Sequence, residues 1–289
     1  MTNRQKGIIF IIFSAFCFSL MNLFVKLVAD VPPIQKAFFR NFVALIISAM
    51  LLYKNRIPVC FHKKTAKLLI IRSVFGTAGV LCNFYAVSKI HLSDATMLNK
   101  LAPFYVILFS YFFLKEKVSF KQITYILLAF TGSLLIIKPG FVFGELLSSM
   151  AGLVGGICAG ASYTAVRALG KEKENNHYLV FFFSAFSCLV IFPYLLFSYY
   201  PMTIKELLLL ILASIFGAGG QYAIIAAYFH APSREISIYD YTIVIFTSIW
   251  GFMFWDDLPD IFSILGYLII FTASTLLFIY NKKRPIPSE

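Results

Sequence analysis

Apolar residues run along this chain in long blocks separated by short polar stretches. Ten blocks stand out, at roughly 7–28, 33–53, 66–87, 93–114, 119–137, 148–168, 178–198, 206–226, 235–255 and 260–280. A helix needs about 20 apolar residues to cross a bilayer, and each block is near that length. Backbone groups in lipid must pair within their own segment, so the blocks are expected to be helices. The alternating ten-residue segments of a membrane barrel are absent. Connections are short, and the longest, around Lys54–Lys67, is basic and contains Pro58. The expected fold is an all-α polytopic membrane protein with ten transmembrane helices.

A constant offset of 141 residues relates the two halves. "LLIIRSVFGTAG" (68–79) falls on "LLILASIFGAGG" (209–220), matching Ser73, Phe75, Gly76 and Gly79 to Ser214, Phe216, Gly217 and Gly220. "FTGSLL" (130–135) falls on "FTASTL" (271–276). In the first span of each half, Ala15, Ser19, Asn22 and Lys26 fall on Gly156, Gly160, Tyr163 and Arg167. The chain therefore reads as two five-span units, 1–141 and 142–289. Five is odd, so the second unit enters the membrane from the opposite side. That is an inverted-topology repeat, an arrangement shared by many secondary transporters, whose substrate sites lie near the midplane between the repeats.

Composition agrees with a membrane interior. The chain is 60% hydrophobic and only 13% charged, against about a quarter charged in soluble domains. The net charge of +12 does not point to nucleic acid, because the basic residues gather at span ends. With the N-terminus inside, seventeen Lys and Arg fall on the inner side, among them Arg4, Lys6, the Lys54–Lys67 group, Lys115, Lys117 and Lys121. Four (Lys36, Lys89, Lys138, Lys205) fall outside. This asymmetry predicts that both termini are cytoplasmic in the cell membrane. The run from Gly7 to Val28 is too long for a signal peptide and reads as an uncleaved first span. Cys17, Cys60, Cys82, Cys158 and Cys188 form no CxxC pair, so no metal, disulfide or cofactor is expected. Neither HExxH, GxSxG nor a P-loop occurs, so the chain is not expected to be an enzyme.

"SDATMLNKLAPFYVILFSYFFLKEKVSFKQITYILLAFTGSLLIIKP" (93–139) and "YDYTIVIFTSIWGFMFWDDLPD" (239–260) resemble the drug/metabolite transporter superfamily, in particular its EamA-type members. The first stretch carries a helix with central Pro103, acidic Glu116 at the turn, then a helix with Gly132. The second is similar to the pattern of members associated with uptake of S-adenosylmethionine and other metabolites. The resemblance covers nearly the whole chain. It implies alternating access around a central cavity lined by spans one, three, four, six, eight and nine. Arg40 resembles an arginine common at its place in the family, an outer gate or a structural tie. Val244 stands where the first half has Pro103, so the ninth span is expected to be less bent than the fourth.

Ionisable groups within spans cost roughly 2.5–3.5 kcal/mol at mid-helix, which makes them candidates for function. Lys26 and Arg167 lie near span ends, where they can snorkel to headgroups. Lys100 and Asp240 each lie about one helical turn from the centre of a span, on equivalent helices. They are expected either to pair directly or to form the cationic and anionic ends of a cavity. Arg72, Gly76, Gly79 and Asn83 share one helix face. The candidate substrate-binding set is Asn22, Arg40, Arg72, Gly79, Asn83, Asn99, Lys100, Tyr105, Tyr163, Gln221, Tyr239, Asp240 and Tyr241. Gly152, Gly156 and Gly160 are read as packing contacts.

The expected cargo is a small zwitterionic metabolite, such as an amino acid or S-adenosylmethionine. Lys100 would take a carboxylate and Asp240 an ammonium or sulfonium. The alternative is an anionic metabolite, since Arg40, Arg72 and Lys100 outnumber Asp240. Other expected partners are membrane lipid and a coupling proton or counter-substrate, with the chain a monomer or homodimer and no nucleic acid bound. In the turn after the fourth span of each half, Lys115–Lys117 are replaced by Asp256 and Asp257. That reversal is attributed to inversion, leaving Glu116 and Asp257 as candidates for a shared structural role.

Overall fold

The computed structural model describes residues 2–57, 63–115, 118–137, 143–172, 174–230 and 237–282. Among them the helices are α1 (Asn3–Leu27), α2 (Pro33–Lys54), α3 (Lys63–Lys89), α4 (Leu92–Asn99), α5 (Ala102–Leu114) and α6 (Phe120–Ile137). They continue with α7 (Phe143–Lys171), α8 (Asn176–Phe197), α9 (Ile204–His230), α10 (Thr242–Trp255) and α11 (Ile261–Lys282). A 3-10 turn, Ser237–Tyr241, leads into α10. Nine spans in the described residues are long and apolar enough to cross a membrane, counting α4 and α5 together as Leu92–Phe113. The 3-10 turn with α10 makes the tenth.

The helix starts use side chains that accept orphan N–H groups. Thr2 and Gln5 form a capping box on α1, with Thr2 N donating to Gln5 Oε1 at 2.9 Å. Asn175, Thr203 and Asp260 accept from N–H groups at the starts of α8, α9 and α11. Such caps stabilise by about 1 kcal/mol each, and they mark where the chain leaves the apolar layer.

The offset of 141 maps α3 (Lys63–Lys89) onto α9 (Ile204–His230) without a residue of slippage. Packing follows the same two-fold relation. α1 packs on α9 and α3 on α7, so each half's first helix meets the other half's third. α2 packs on α8 and α6 on α11, like helix on like. The fold is two inverted five-helix repeats. Even the unusual backbone is repeated: Lys115 and Asp256 both end their helices in the left-handed region, at φ 53° and 52°. Glu116 and Lys117 lie outside the described residues.

Small residues let the two halves touch backbone to backbone, as membrane helices without a hydrophobic drive require. A Cβ on Gly79 would sit 3.3 Å from Gly155 O, and one on Gly155 would sit 3.3 Å from Asn83 N. A Cβ on Gly266 would lie 2.7 Å from Gly132 O. Gly79 borders the central space, but the direction a side chain would take there is filled by α7.

Candidate substrate cavity

The site lies where two spans are interrupted. Pro103, in the first turn of α5, has no N–H to offer the preceding turn. Phe104 N bonds Leu101 O at 3.0 Å instead of the Lys100 carbonyl. That carbonyl accepts from the Tyr241 hydroxyl at 3.0 Å, and Ser274 Oγ donates to the same hydroxyl at 2.6 Å. Lys100 and Tyr241 are repeat equivalents, so each interruption is tied to the other.

The ninth span carries its irregular stretch, the 3-10 turn Ser237–Tyr241, without a proline. The 3-10 turn is stabilised locally by Thr242 Oγ1 donating to Tyr239 O at 2.7 Å, and across the pseudo-axis by the Tyr241 bond. Both contacts are invisible to a reading based on proline.

Of the two arrangements open for Lys100 and Asp240, the direct pair is found: Lys100 Nζ meets Asp240 Oδ2. The two side chains are 16% and 17% exposed. Asp240 Oδ1 is buried and has no hydrogen-bond partner among the described residues. The sixth span holds this junction in place. A Cβ on Gly156 would lie 2.7 Å from Leu98 O, and one on Gly160 would lie 2.4 Å from Tyr105 Cβ. These glycines are packing contacts, as read from sequence, and the backbone they seat is the one that carries Lys100.

Around the pair opens a cavity of about 830 Å³ between the repeats. Eleven of the thirteen candidate residues border it: Asn22, Arg40, Arg72, Gly79, Asn83, Asn99, Lys100, Tyr163, Gln221, Asp240 and Tyr241. Tyr105 and Tyr239 do not. Tyr105 lies against Gly160 of α7, and Tyr239 packs on Ile11 and Ala227. Helix rotation turned both rings away from the charges beside them in sequence. The oxygens of the Asn22 and Asn83 carboxamides are buried and without partners among the described residues. Arg72 Nη1 donates to Ser162 Oγ at 2.8 Å, and its guanidinium lies 4.2 Å from the centroid of Phe183. Arg40 Nη1 donates to Asn41 Oδ1 at 2.9 Å. Thr96, Ser162, Phe183 and Ser274 also border the cavity and were not singled out from sequence. Ser162 sits beside Tyr163, so the Asn22–Tyr163 equivalence could have drawn attention to it.

The lining extends to Arg167, Asn176 and Phe278, at helix ends on the side where α1 begins. The opposite side is tied shut. Lys26 Nζ donates to Ile90 O at 3.0 Å and to Asp257 Oδ2 at 3.1 Å, and lies 4.9 Å from the centroid of the Trp255 ring. His91 Nδ1 meets Asp257 Oδ1. Lys36 Nζ donates to Ser88 Oγ at 2.8 Å. Lys26 is thus engaged with protein groups rather than snorkelling, and Asp257 is the centre of a latch joining α1, the α3–α4 connection and the α10–α11 connection.

Removing that centre is expected to favour the state open on the latch side. A hydrogen bond to a charged group contributes about 1.5–3 kcal/mol, a shift of roughly 10- to 150-fold. Labelling of a single cysteine at Val80, a cavity position, by an impermeant maleimide applied from the latch side measures it. Asp257→Ala should raise the labelling rate, and an unchanged rate would mean that the latch does not gate.

Comparison with known proteins decides the family. The model of the EamA-like transporter family matches the chain twice, over residues 5–138 and 146–279. The chain belongs to this family. It is a multi-span membrane transporter, not an enzyme. It is similar to the pseudopaline exporter CntI of Pseudomonas aeruginosa (strain UCBPP-PA14), 29% identical over 94% of this chain and 96% of the relative. It is also similar to solute carrier family 35 member G1 of Mus musculus, 27% identical over 93% of this chain and 77% of that protein. A crystal structure of a protein only 14% identical superposes with a TM-score of 0.68, covering 97% of this chain and 100% of the other, which shows likeness of fold alone.

Proposed function

We propose that this EamA-like transporter moves a small zwitterionic metabolite across the cytoplasmic membrane by alternating access, with both termini cytoplasmic. The observation that carries the reading is the cavity of about 830 Å³ between the repeats, bordered by charges of both signs, with the Lys26–Asp257 ties at one end. Its size suits a metabolite, since small-molecule sites are about 300–1,000 Å³. The similarity to a protein named as a pseudopaline exporter supports an organic cargo. The sequence carries no ATP-binding motif, so the energy comes from an ion gradient or from exchange.

The pairing of Lys100 with Asp240 changes how such a cargo would be held. Neither group is fully free while the pair stands. Asp240 Oδ1 remains open to an ammonium, and the cargo carboxylate competes for Lys100 or binds elsewhere on the cationic wall. Asn22, Asn83, Asn99 and Gln221 supply neutral hydrogen bonds. The pair is then both a recognition element and a clasp between the two interrupted spans, released when cargo exchanges partners with it.

A second reading, a net anionic metabolite, is favoured by the surplus of Arg40, Arg72 and Lys100 over Asp240 along the lining. Counterflow into proteoliposomes with a panel of zwitterions and dicarboxylates separates the two. Zwitterions should compete best. Preference for dicarboxylates would replace the first reading with the second, and normal flux in both Lys100→Ala and Asp240→Ala proteins would remove both residues from the site.

A further inference from the structure

The cavity has a side recess of about 20 Å³, and Arg40 and Arg72 stand on its wall. The recess is roughly large enough for one water-sized group. Arg40, Arg72, Phe183 and Gln221 border both spaces, so the recess adjoins the main cavity.

Arg72 is held in position there by three groups. Gly76 leaves the room it needs, since a Cβ at Gly76 would lie 2.2 Å from Arg72 Nη1. Phe183 supports the flat face of the guanidinium and Ser162 takes one N–H. The Nε edge is left over: Arg72 Nε is buried and has no hydrogen-bond partner among the described residues. Tyr222 also lines the recess, and its hydroxyl is likewise buried and unpartnered among them. Arg40 approaches from α2, its stem beside Gly217, where a Cβ would lie 3.8 Å from Arg40 Cγ. Among the described residues no carboxylate pairs with either arginine.

Two guanidinium groups beside one small space repel each other and lose hydration, which is costly unless an anion joins them. The planar fork of arginine matches a carboxylate in geometry as well as charge. We infer that the recess is a carboxylate socket. One oxygen of a cargo carboxylate enters it, accepting from Arg72 Nε and the Tyr222 hydroxyl, while the group as a whole lies between the two arginines. The rest of the cargo then extends through the main cavity toward Asp240. This rests on the carrier reading above and moves anion recognition from Lys100 to the arginine pair. The repeat does not duplicate the socket, because Phe181 and Ala213 stand at the positions equivalent to Arg40 and Arg72. One socket gives the cargo a single orientation.

The test uses the purified full-length chain and three simple probes: acetate, its uncharged isostere acetamide, and chloride. Acetate at about 100 mM should raise the melting temperature by roughly 2–4 °C, with acetamide and chloride having little effect. Arg40→Gln and Arg72→Gln should abolish the acetate shift, and Tyr222→Phe should reduce it. Arg72→Lys, which keeps the charge and loses the fork, should weaken acetate binding about 30-fold, equivalent to about 2 kcal/mol at 1.4 kcal/mol per tenfold. Should a glutamine variant not fold, Arg72→Lys and Tyr222→Phe read the same site. The socket is refuted if acetate and acetamide act alike on the wild type, or if acetate stabilises the variants equally. It is also refuted if a transported carboxylate keeps its wild-type KM in the arginine variants, a result that leaves the carrier reading standing. Absence of flux for every panel compound in the wild type counts against the carrier reading and leaves the acetate result unaffected.

Discussion

Lys100→Ala and Asp240→Ala, made singly, should each destabilise the protein by several kcal/mol, whereas neutralising both residues together should cost little. Removing one partner of a buried ion pair leaves an uncompensated charge, typically at a cost of about 3–5 kcal/mol. The side chains here are 16% and 17% exposed and border an open cavity, which favours the lower half of that range. Lys100→Met with Asp240→Asn removes both charges and should remain within about 1 kcal/mol of the wild type. Flux should fall in all three proteins, because the clasp between the interruptions is lost in each. Thermal unfolding in detergent and counterflow in proteoliposomes read the two effects separately. Single variants as stable as the wild type would show that water, not the partner, satisfies these charges.

Gly160→Ala should be the most damaging of the conservative changes. Its Cβ would fall 2.4 Å from Tyr105 Cβ and 3.1 Å from Ala102 O. Gly156→Ala would place a methyl 2.7 Å from Leu98 O. Replacing a mid-helix glycine by alanine gains about 1 kcal/mol in helix propensity. Overpacking costs about 1–3 kcal/mol or more, and the atoms in the way include backbone that cannot rotate aside. The cost should therefore win at both positions. It should also reach transport, because the displaced backbone carries Lys100. Gly170→Ala is the control, having nothing within 4 Å of the added methyl, and should leave flux unchanged while raising stability slightly. Melting temperatures of the three variants in one detergent test the ranking. If Gly160→Ala matches Gly170→Ala, the close approach of α5 to α7 is not structurally required.

The spans and their repeat were readable because each rests on a local property. A run of apolar residues long enough for the bilayer becomes a helix whatever surrounds it, and an offset of 141 can be seen in the letters alone. Pro103 marked the interruption of the fourth span because proline acts through its own backbone. The 3-10 turn that ends at Tyr241 has no such local mark, because one of its ties is a hydroxyl reaching the Lys100 carbonyl of the other repeat.

Ionisable residues in apolar segments announced the site, since their cost in lipid demands a reason. Which of them face one another was not announced. Apart from the face of α3 that carries Arg72, Gly76, Gly79 and Asn83, these helices are apolar on nearly every side, so no polar stripe marks the face turned inward. Tyr105 and Tyr239 illustrate this: they are near Lys100 and Asp240 in sequence and outside the cavity in space. Lys26 and Asp257 illustrate the converse, being 231 residues apart and in contact. Composition and periodicity along the chain therefore determined a ten-span transporter built from inverted repeats, together with a short roster of charges that had to matter. Tertiary packing decided the rest: that Lys100 and Asp240 hold each other, that one end is latched, and that Arg40 and Arg72 share a recess. Those outcomes depend on how each helix is rotated against its neighbours, and in a chain so uniformly apolar that rotation is set by glycine contacts and single hydrogen bonds between distant segments.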